Sequence, residues 1–215
     1  FTFTVTAVDD APIISVIGAQ STNEDNASVV NFTITDVDST LNCTTSMSAT
    51  SSNVGLMPVA SIVFTGAAPN CTATMTPVAD GFGTTNVGFI VTDGTTPVTQ
   101  SFTLTVNAVN DAPTISVIAN QTNNEDIPLA VNFTINDIDS TLDCTTSVSA
   151  LSSDGVVLPV ANIVFTGTAP NCTATMTPGL DQSGLSNVSF TVTDGSLTAV
   201  QNFSLTVVAT DDAPV

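Results

Sequence analysis

One spacing organises this chain: Cys43 and Cys144, Cys71 and Cys172, and Asp93 and Asp194 each lie 101 residues apart, with no gap needed between the copies. A sequence that repeats itself at that period folds as a series of like units. The edges carry the same signal, because segment 1–12 (FTFTVTAVDDAP) returns as 102–113 (FTLTVNAVNDAP) and as 203–214 (FSLTVVATDDAP). Two full units, 12–109 and 113–209, are joined by a linker at 110–113, with Pro113 opening the second. Residues 1–11 read as the last strand and linker of a preceding repeat, and 210–215 as the linker to a following one. The strand pattern at 1–7 is either continuous with a preceding repeat or donated to another subunit, since an unpaired strand is a template for pairing. No charged and apolar leader opens the chain, so it reads as mature protein or as a segment of something longer.

Within each unit, runs of Val, Ile, Thr and Phe alternate with period two and are broken by Asp, Asn, Gly and Pro clusters, the pattern of short strands. In the first unit the expected strands are A at 13–17, B at 29–35, C at 41–49, D at 60–65, E at 71–76, F at 86–92 and G at 100–108. Seven strands in about 100 residues predict an all-β fold of tandem immunoglobulin-like, cadherin-like β-sandwiches in a linear array. Phe32, Ile34, Phe64, Phe89, Val91, Phe102 and Leu104 are the inward candidates. Alternating threonines such as Thr72, Thr74 and Thr76 suit a solvated sheet face better than a recognition array.

Composition removes whole classes of chemistry. The 215 residues hold no Lys, Arg, His, Trp or Tyr against 19 acids, a formal charge of −19. Without His, Lys or Arg there is no imidazole base, Schiff-base amine, phosphate clamp or basic nucleic-acid face, so neither an enzyme nor a nucleic-acid partner is expected. Apolar residues make up 42% but form no run of 18 or more, so no membrane span is expected.

Two cysteines fall in each unit, Cys43 with Cys71 and Cys144 with Cys172, 28 residues apart. Four cysteines allow three connectivities, and the repetition favours pairing within each unit, hence an oxidising, extracellular setting. Four buried thiols are the alternative in a reducing compartment. Asn-X-Ser/Thr sequons are dense, and Asn70 and Asn171, each just before a cysteine, are the candidate glycan sites.

The acids cluster in loops. With strand A entering at the top of a sandwich, the B–C and F–G loops share that pole, while the A–B and E–F loops lie at the bottom. Glu24, Asp25 and Asp80 then mark the bottom of the first unit, Asn110 and Asp111 the linker, and Asp137, Asp139 and Asp194 the top of the second, with Asp143 near. Asp9, Asp10, Asp36, Asp38 and Asp93 are the equivalent top set of the first unit. No side chain can neutralise these acids, and calcium, which takes six to eight oxygen ligands, is the cofactor that fits them. Magnesium prefers strict octahedral geometry, and zinc lacks His and free thiolates here. The competing reading is that Asp and Asn simply form turns.

Asn-Asp-Ala-Pro at 110–113, Asn-Glu-Asp at 124–126, Asp-X-Asp at 137–139 and Thr-Asp-Gly at 193–195 resemble the cadherin-like and bacterial immunoglobulin-like tandem repeats of very large surface proteins and adhesins. The resemblance covers both units nearly end to end. It implies secretion, a rod of many modules, and calcium held by the base of one module, the linker and the top of the next. The cysteine pairs and the lack of basic residues depart from it. The expected function is a non-enzymatic structural module of an extracellular fibre or long cell-surface protein, partnered by neighbouring repeats or copies of itself. A calcium-dependent adhesion or glycan-binding module, with cell-surface glycans as partners, is the alternative.

Overall fold

A computed structural model describes residues 1–6 and 8–211 of the chain. Ala7, at the end of the first predicted strand, and 212–215, at the end of the last predicted linker, lie outside the described residues. The chain divides into two compact units, Phe1–Val109 and Asn110–Val215.

The first unit contains β1 (Ile13–Ile14), β2 (Gln20–Asn23), β3 (Ser28–Thr35), β4 (Met47–Ser51), β5 (Ile62–Ala67), β6 (Asn70–Met75), β7 (Gly83–Val91) and β8 (Val98–Asn107). They form two four-stranded sheets, β1-β3-β6-β5 and β2-β8-β7-β4. All pairings are antiparallel except β2 on β8. Strand A is thus split between the sheets, giving the ABED-against-GFC order of an immunoglobulin-like sandwich. The second unit repeats the pattern with β9 (Thr114–Ile115), β10 (Gln121–Asn124), β11 (Leu129–Asn136), β12 (Val148–Ser152), β13 (Ile163–Thr168), β14 (Asn171–Met176), β15 (Gly184–Thr193) and β16 (Thr198–Val208). Its sheets run β9-β11-β14-β13 and β10-β16-β15-β12. The protein is therefore an all-β chain of two immunoglobulin-like domains in tandem.

Alternation builds the core. Along β3, Ser28, Val30, Phe32 and Ile34 are buried while Val29, Asn31, Thr33 and Thr35 are exposed. Phe89 of β7 is fully buried and touches rings from both sheets, with centroid distances of 5.3 Å to Phe32, 4.9 Å to Phe64 and 5.0 Å to Phe102. Phe190 occupies the same place among Phe133, Phe165 and Phe203. Gly66, at φ 105°, turns β5 into β6 where a Cβ would meet the Asn70 carbonyl oxygen at 2.6 Å, so no larger residue fits. Disulfides link Cys43 to Cys71 and Cys144 to Cys172.

Strand F begins earlier than expected, at Gly83, and three further elements differ. Strand A at 13–17 is two shorter strands, because the chain crosses from one sheet to the other between Ile14 and Gln20. Strand C starts at Met47 rather than at 41, since Asn42 Oδ1 accepts the Thr44 and Thr45 N–H groups at 2.8 and 3.3 Å and folds that stretch into a turn. Strand D begins at Ile62 after a 3-10 turn at Val59–Ser61.

Thr85 is a buried hydroxyl that joins Ser51 Oγ at 3.1 Å, Ser52 Oγ at 3.2 Å and the Asn53 N–H at 3.1 Å. Thr85→Val keeps the shape and strands those partners, so it should destabilise the first unit by about 1–3 kcal/mol in denaturant melts. An unchanged midpoint would show that the serine hydroxyls repair the loss themselves.

Candidate metal poles

In each unit the loops at one end bring together the acids that the sequence places apart. Asp36 follows β3 and turns the chain, its Oδ1 accepting the N–H groups of Asp38 at 3.0 Å and Ser39 at 2.7 Å. Asp93 follows β7 and does the same with Thr95 at 2.7 Å and Thr96 at 3.0 Å. Gly94 beside it sits at φ 112°, which keeps the turn tight. Each carboxylate thereby spends one oxygen on its own turn. The other, Oδ2 of Asp36 and Oδ2 of Asp93, is buried and accepts no hydrogen bond.

Segment 8–11 is tied to this pole from the other side. Asp10 N–H donates to Asp38 Oδ2 at 3.2 Å, and the Thr95 hydroxyl donates to Asp9 Oδ2. That hydroxyl also lies 2.8 Å from Asp93 Oδ1, and its single proton cannot serve both acids fully. The Ser39 N–H holds the Asp36 carboxyl below its usual range, although the nearby Asp93 charge opposes it. The Thr95 N–H likewise lowers Asp93, whereas the hydrogen bond with Asp36 raises Asp38. The linker, B–C and F–G residues Asp9, Asp10, Asp36, Asp38 and Asp93 thus form one acidic pole, supplied with too few donors.

The second unit repeats this with one change. Asp137 Oδ1 accepts the Asp139 and Ser140 N–H groups at 2.9 and 2.7 Å, and its Oδ2 is buried without a donor. Asp111 N–H donates to Asp139 Oδ2 at 2.8 Å. Asp194 Oδ1 accepts Ser196 N–H at 2.6 Å and Leu197 N–H at 2.7 Å. Where the first unit has Asp9, however, the second has Asn110, whose Nδ2 donates to Asp194 Oδ2 at 2.7 Å. This amide is the main reason the Asp194 carboxyl is lowered. Asp143 stands apart: its Oδ1 is taken by the Thr145 hydroxyl and the Thr145 and Thr146 N–H groups, the turn that Asn42 makes in the first unit.

The opposite poles are also acidic. Asp25 Oδ1 accepts the Asp80 N–H at 3.0 Å, with both residues in the left-handed region at φ 59° and 55°. Glu24 is 1% exposed; its Oε1 accepts the Val109 N–H at 2.5 Å, while Oε2 is buried with no donor. The second unit carries the same set in Glu125, Asp126 and Asp181, with Asp181 N–H on Asp126 Oδ1 at 3.0 Å and Thr210 N–H on Glu125 Oε1 at 2.6 Å. None of these three is among the candidate ligands above, where Glu125 and Asp126 appear only within the Asn-Glu-Asp motif, yet the 101-residue period points straight to them.

A buried carboxylate oxygen without a donor needs a positive charge or a proton, and the chain has no basic side chain to give. The donors fit a hard cation: they are all oxygens, come from several loops, and impose no fixed angle. Both cysteine pairs are oxidised, leaving no thiolate for zinc. Asn70 and Asn171 lie elsewhere, as the exposed first residues of β6 and β14 rather than in loops.

No family model and no curated protein matches this chain. Among solved structures it is similar to the titin Z1Z2 domains in complex with telethonin, at 12% identity, 95% coverage of this chain, 100% of that one and a TM-score of 0.42. It is similar to the titin immunoglobulin tandem A164–A165 at 11% identity, covering 95% and 100%, with a TM-score of 0.35. An endo-fucoidan hydrolase of glycoside hydrolase family 107 matches at 13% identity over 93% of this chain and 29% of that one, with a TM-score of 0.37. Likenesses at these scores carry no argument about activity or partners, and the immunoglobulin-like assignment rests on strand order and pairing.

Proposed function

We propose that this chain is a non-enzymatic structural module of an extracellular fibre or long surface protein, with calcium bound at the acidic poles of its domains. The observation that carries the reading is the set of buried, donorless oxygens on Asp36, Asp93 and Asp137 in a chain without a basic side chain. Calcium there would replace missing donors, and mutual repulsion among the acids would become shared ligation. In the first unit the ligands would be Asp9, Asp10, Asp36, Asp38 and Asp93; in the second, Asp111, Asp137, Asp139 and Asp194, with Asn110 turning its amide oxygen inward. The lower sets, Glu24, Asp25 and Asp80 or Glu125, Asp126 and Asp181, would supply further carboxylates. Linker residues belong to the upper set, so the bound ion would restrain the linker and make the array mechanically stiffer. The disulfides fit an oxidising compartment. Among the described residues no helix is long and apolar enough to cross a membrane.

Calorimetric titration of the chelated protein with calcium tests this directly, and heats no larger than those of sodium at equal ionic strength would sink it. The Asp9 and Asn110 difference sharpens the test. Asn110→Asp removes the amide donor from Asp194 and adds a carboxylate, so the chelated second unit should melt lower while its calcium affinity rises roughly threefold to tenfold. Asp9→Asn should weaken binding at the first unit in the opposite sense. Equal calcium heats across the parent and both variants would remove these residues from the ligand set.

A further inference from the structure

Residues 1–6 fall within the first unit yet belong to neither hydrophobic core. They belong to no strand, and Phe3 and Val5 are 89% and 78% exposed, with Phe1 fully so. Exposed apolar residues at alternate positions are not what a tail needs to remain soluble. Their sequence, FTFTVT, aligns without a gap on FTLTVN at the end of β8 and FSLTVV at the end of β16. In those strands the residues matching Phe1, Phe3 and Val5 are core: Phe102, Leu104 and Val106 are 6%, 0% and 2% exposed, and Phe203, Leu205 and Val207 are 5%, 0% and 3%.

The slot that receives such a strand is defined by its neighbours. β8 lies between β7, antiparallel, and β2, parallel, with Leu104 opposite Thr85 on one side and Gln20 on the other. β16 lies between β15 and β10, with Leu205 opposite Ser186 and Gln121. Both slots are therefore filled by the domain's own strand. We infer that residues 1–6 are the last strand of a further sandwich of this repeat, one that lacks such a strand of its own, held between an F-type strand and an A-type strand with Phe1, Phe3 and Val5 turned into its core. The partner is recognised by shape and backbone: two unpaired strand edges on either side, and an apolar gap between two sheets sized for Phe, Phe and Val. The intervening threonines would face solvent, as Thr103 does on β8.

The inference does not depend on calcium, and full-length variants test it. Ser204→Thr, Leu205→Phe and Val208→Thr together place FTFTVT in the β16 slot of the second domain. The expected result is one cooperative unfolding transition for that domain, lowered by no more than about 15 °C for the larger Phe. The control, Leu205→Asp, should leave that domain unfolded. In parallel, Phe1→Asp with Phe3→Asp should leave the melts of both domains unchanged. Loss of the second domain's transition in the graft overturns the inference, because the segment would then be no substitute for a last strand. So does a shift in either melt from the Phe1 and Phe3 changes, because the segment would then already be part of a domain described here.

Discussion

On the proposed calcium reading, calcium at about one hundred times its dissociation constant should stabilise each domain by about 2.7 kcal/mol, which would raise the melting temperature of a domain this size by roughly 10–20 °C. The effect is large because the chelated state is poor. At the pole of the first domain, two buried oxygens have no donor, and the Thr95 hydroxyl is shared between Asp9 and Asp93. With 19 acids and no bases in the chain, folding concentrates charge that the unfolded chain can spread apart. Sodium at matched ionic strength separates ligation from screening: it shortens the Debye length but does not fill a coordination shell. Magnesium should give a smaller rise because it dehydrates reluctantly. Asp93→Ala should abolish the calcium-dependent part for the first domain and leave the second as an internal reference. Small-angle scattering with and without calcium would check whether linker freedom falls as the proposal expects. If sodium reproduces the whole rise, the acids are turn formers and solubilising charge, and the calcium reading fails.

The strands were readable because their signal is local. Period-two burial along SVVNFTIT or NCTATM needs only one polar face and one apolar one, and the inward candidates Phe32, Ile34, Phe89, Val91, Phe102 and Leu104 are all buried. Phe64 is partly exposed but packs its ring on Phe89. What sequence could not give was the crossing of strand A between sheets. β2 pairs parallel to a strand more than 80 residues later, at Gln20 with Leu104, and no periodicity within 13–23 encodes a partner so distant. The late start of strand C has a different cause, a side-chain turn at Asn42 that competes with sheet pairing.

The site was legible at the level of poles and not of atoms. Loop order alone predicts that 9–10, 36–38 and 93 converge, and the hydrogen bonds of Asp10 with Asp38 and of Asp9 with Thr95 join those three segments. The turn-former reading is also correct for part of each group, since Oδ1 of Asp36, Asp93, Asp137 and Asp194 serves its own loop. In Asp36, Asp93 and Asp137 the turn occupies one oxygen of the carboxylate and leaves the other buried without a donor, a distinction that residue type cannot reveal. Asp143 and Asp154 show the limit: each caps a turn that Asn42 or Asn53 makes in the first domain. An acid that exchanges with Asn at a turn has no demonstrated need for charge.

Removing the first disulfide, by Cys43→Ala with Cys71→Ala, should cost the first domain about 3–4 kcal/mol by the chain-entropy model for a 28-residue separation. Against a typical total of about 5–15 kcal/mol this is a large fraction, and it corresponds to a fall of roughly 15–25 °C in melting temperature. The second domain, with Cys144–Cys172 intact, supplies the reference transition in the same sample. The bridge also bears on the pole. Cys43 lies in the turn before β4, downstream of Asp36 and Asp38 in the same loop, while Cys71 is in β6 of the other sheet. Cutting it frees one end of the segment that positions both acids, so more ordering is left for the ion to impose. Calcium affinity at the first domain should therefore fall together with its stability, while the second domain's affinity stays constant. A loss of stability with unchanged calcium heats would make the disulfide a brace for the sandwich alone, with the pole organised by the Asp36 turn and the Asp10 contact.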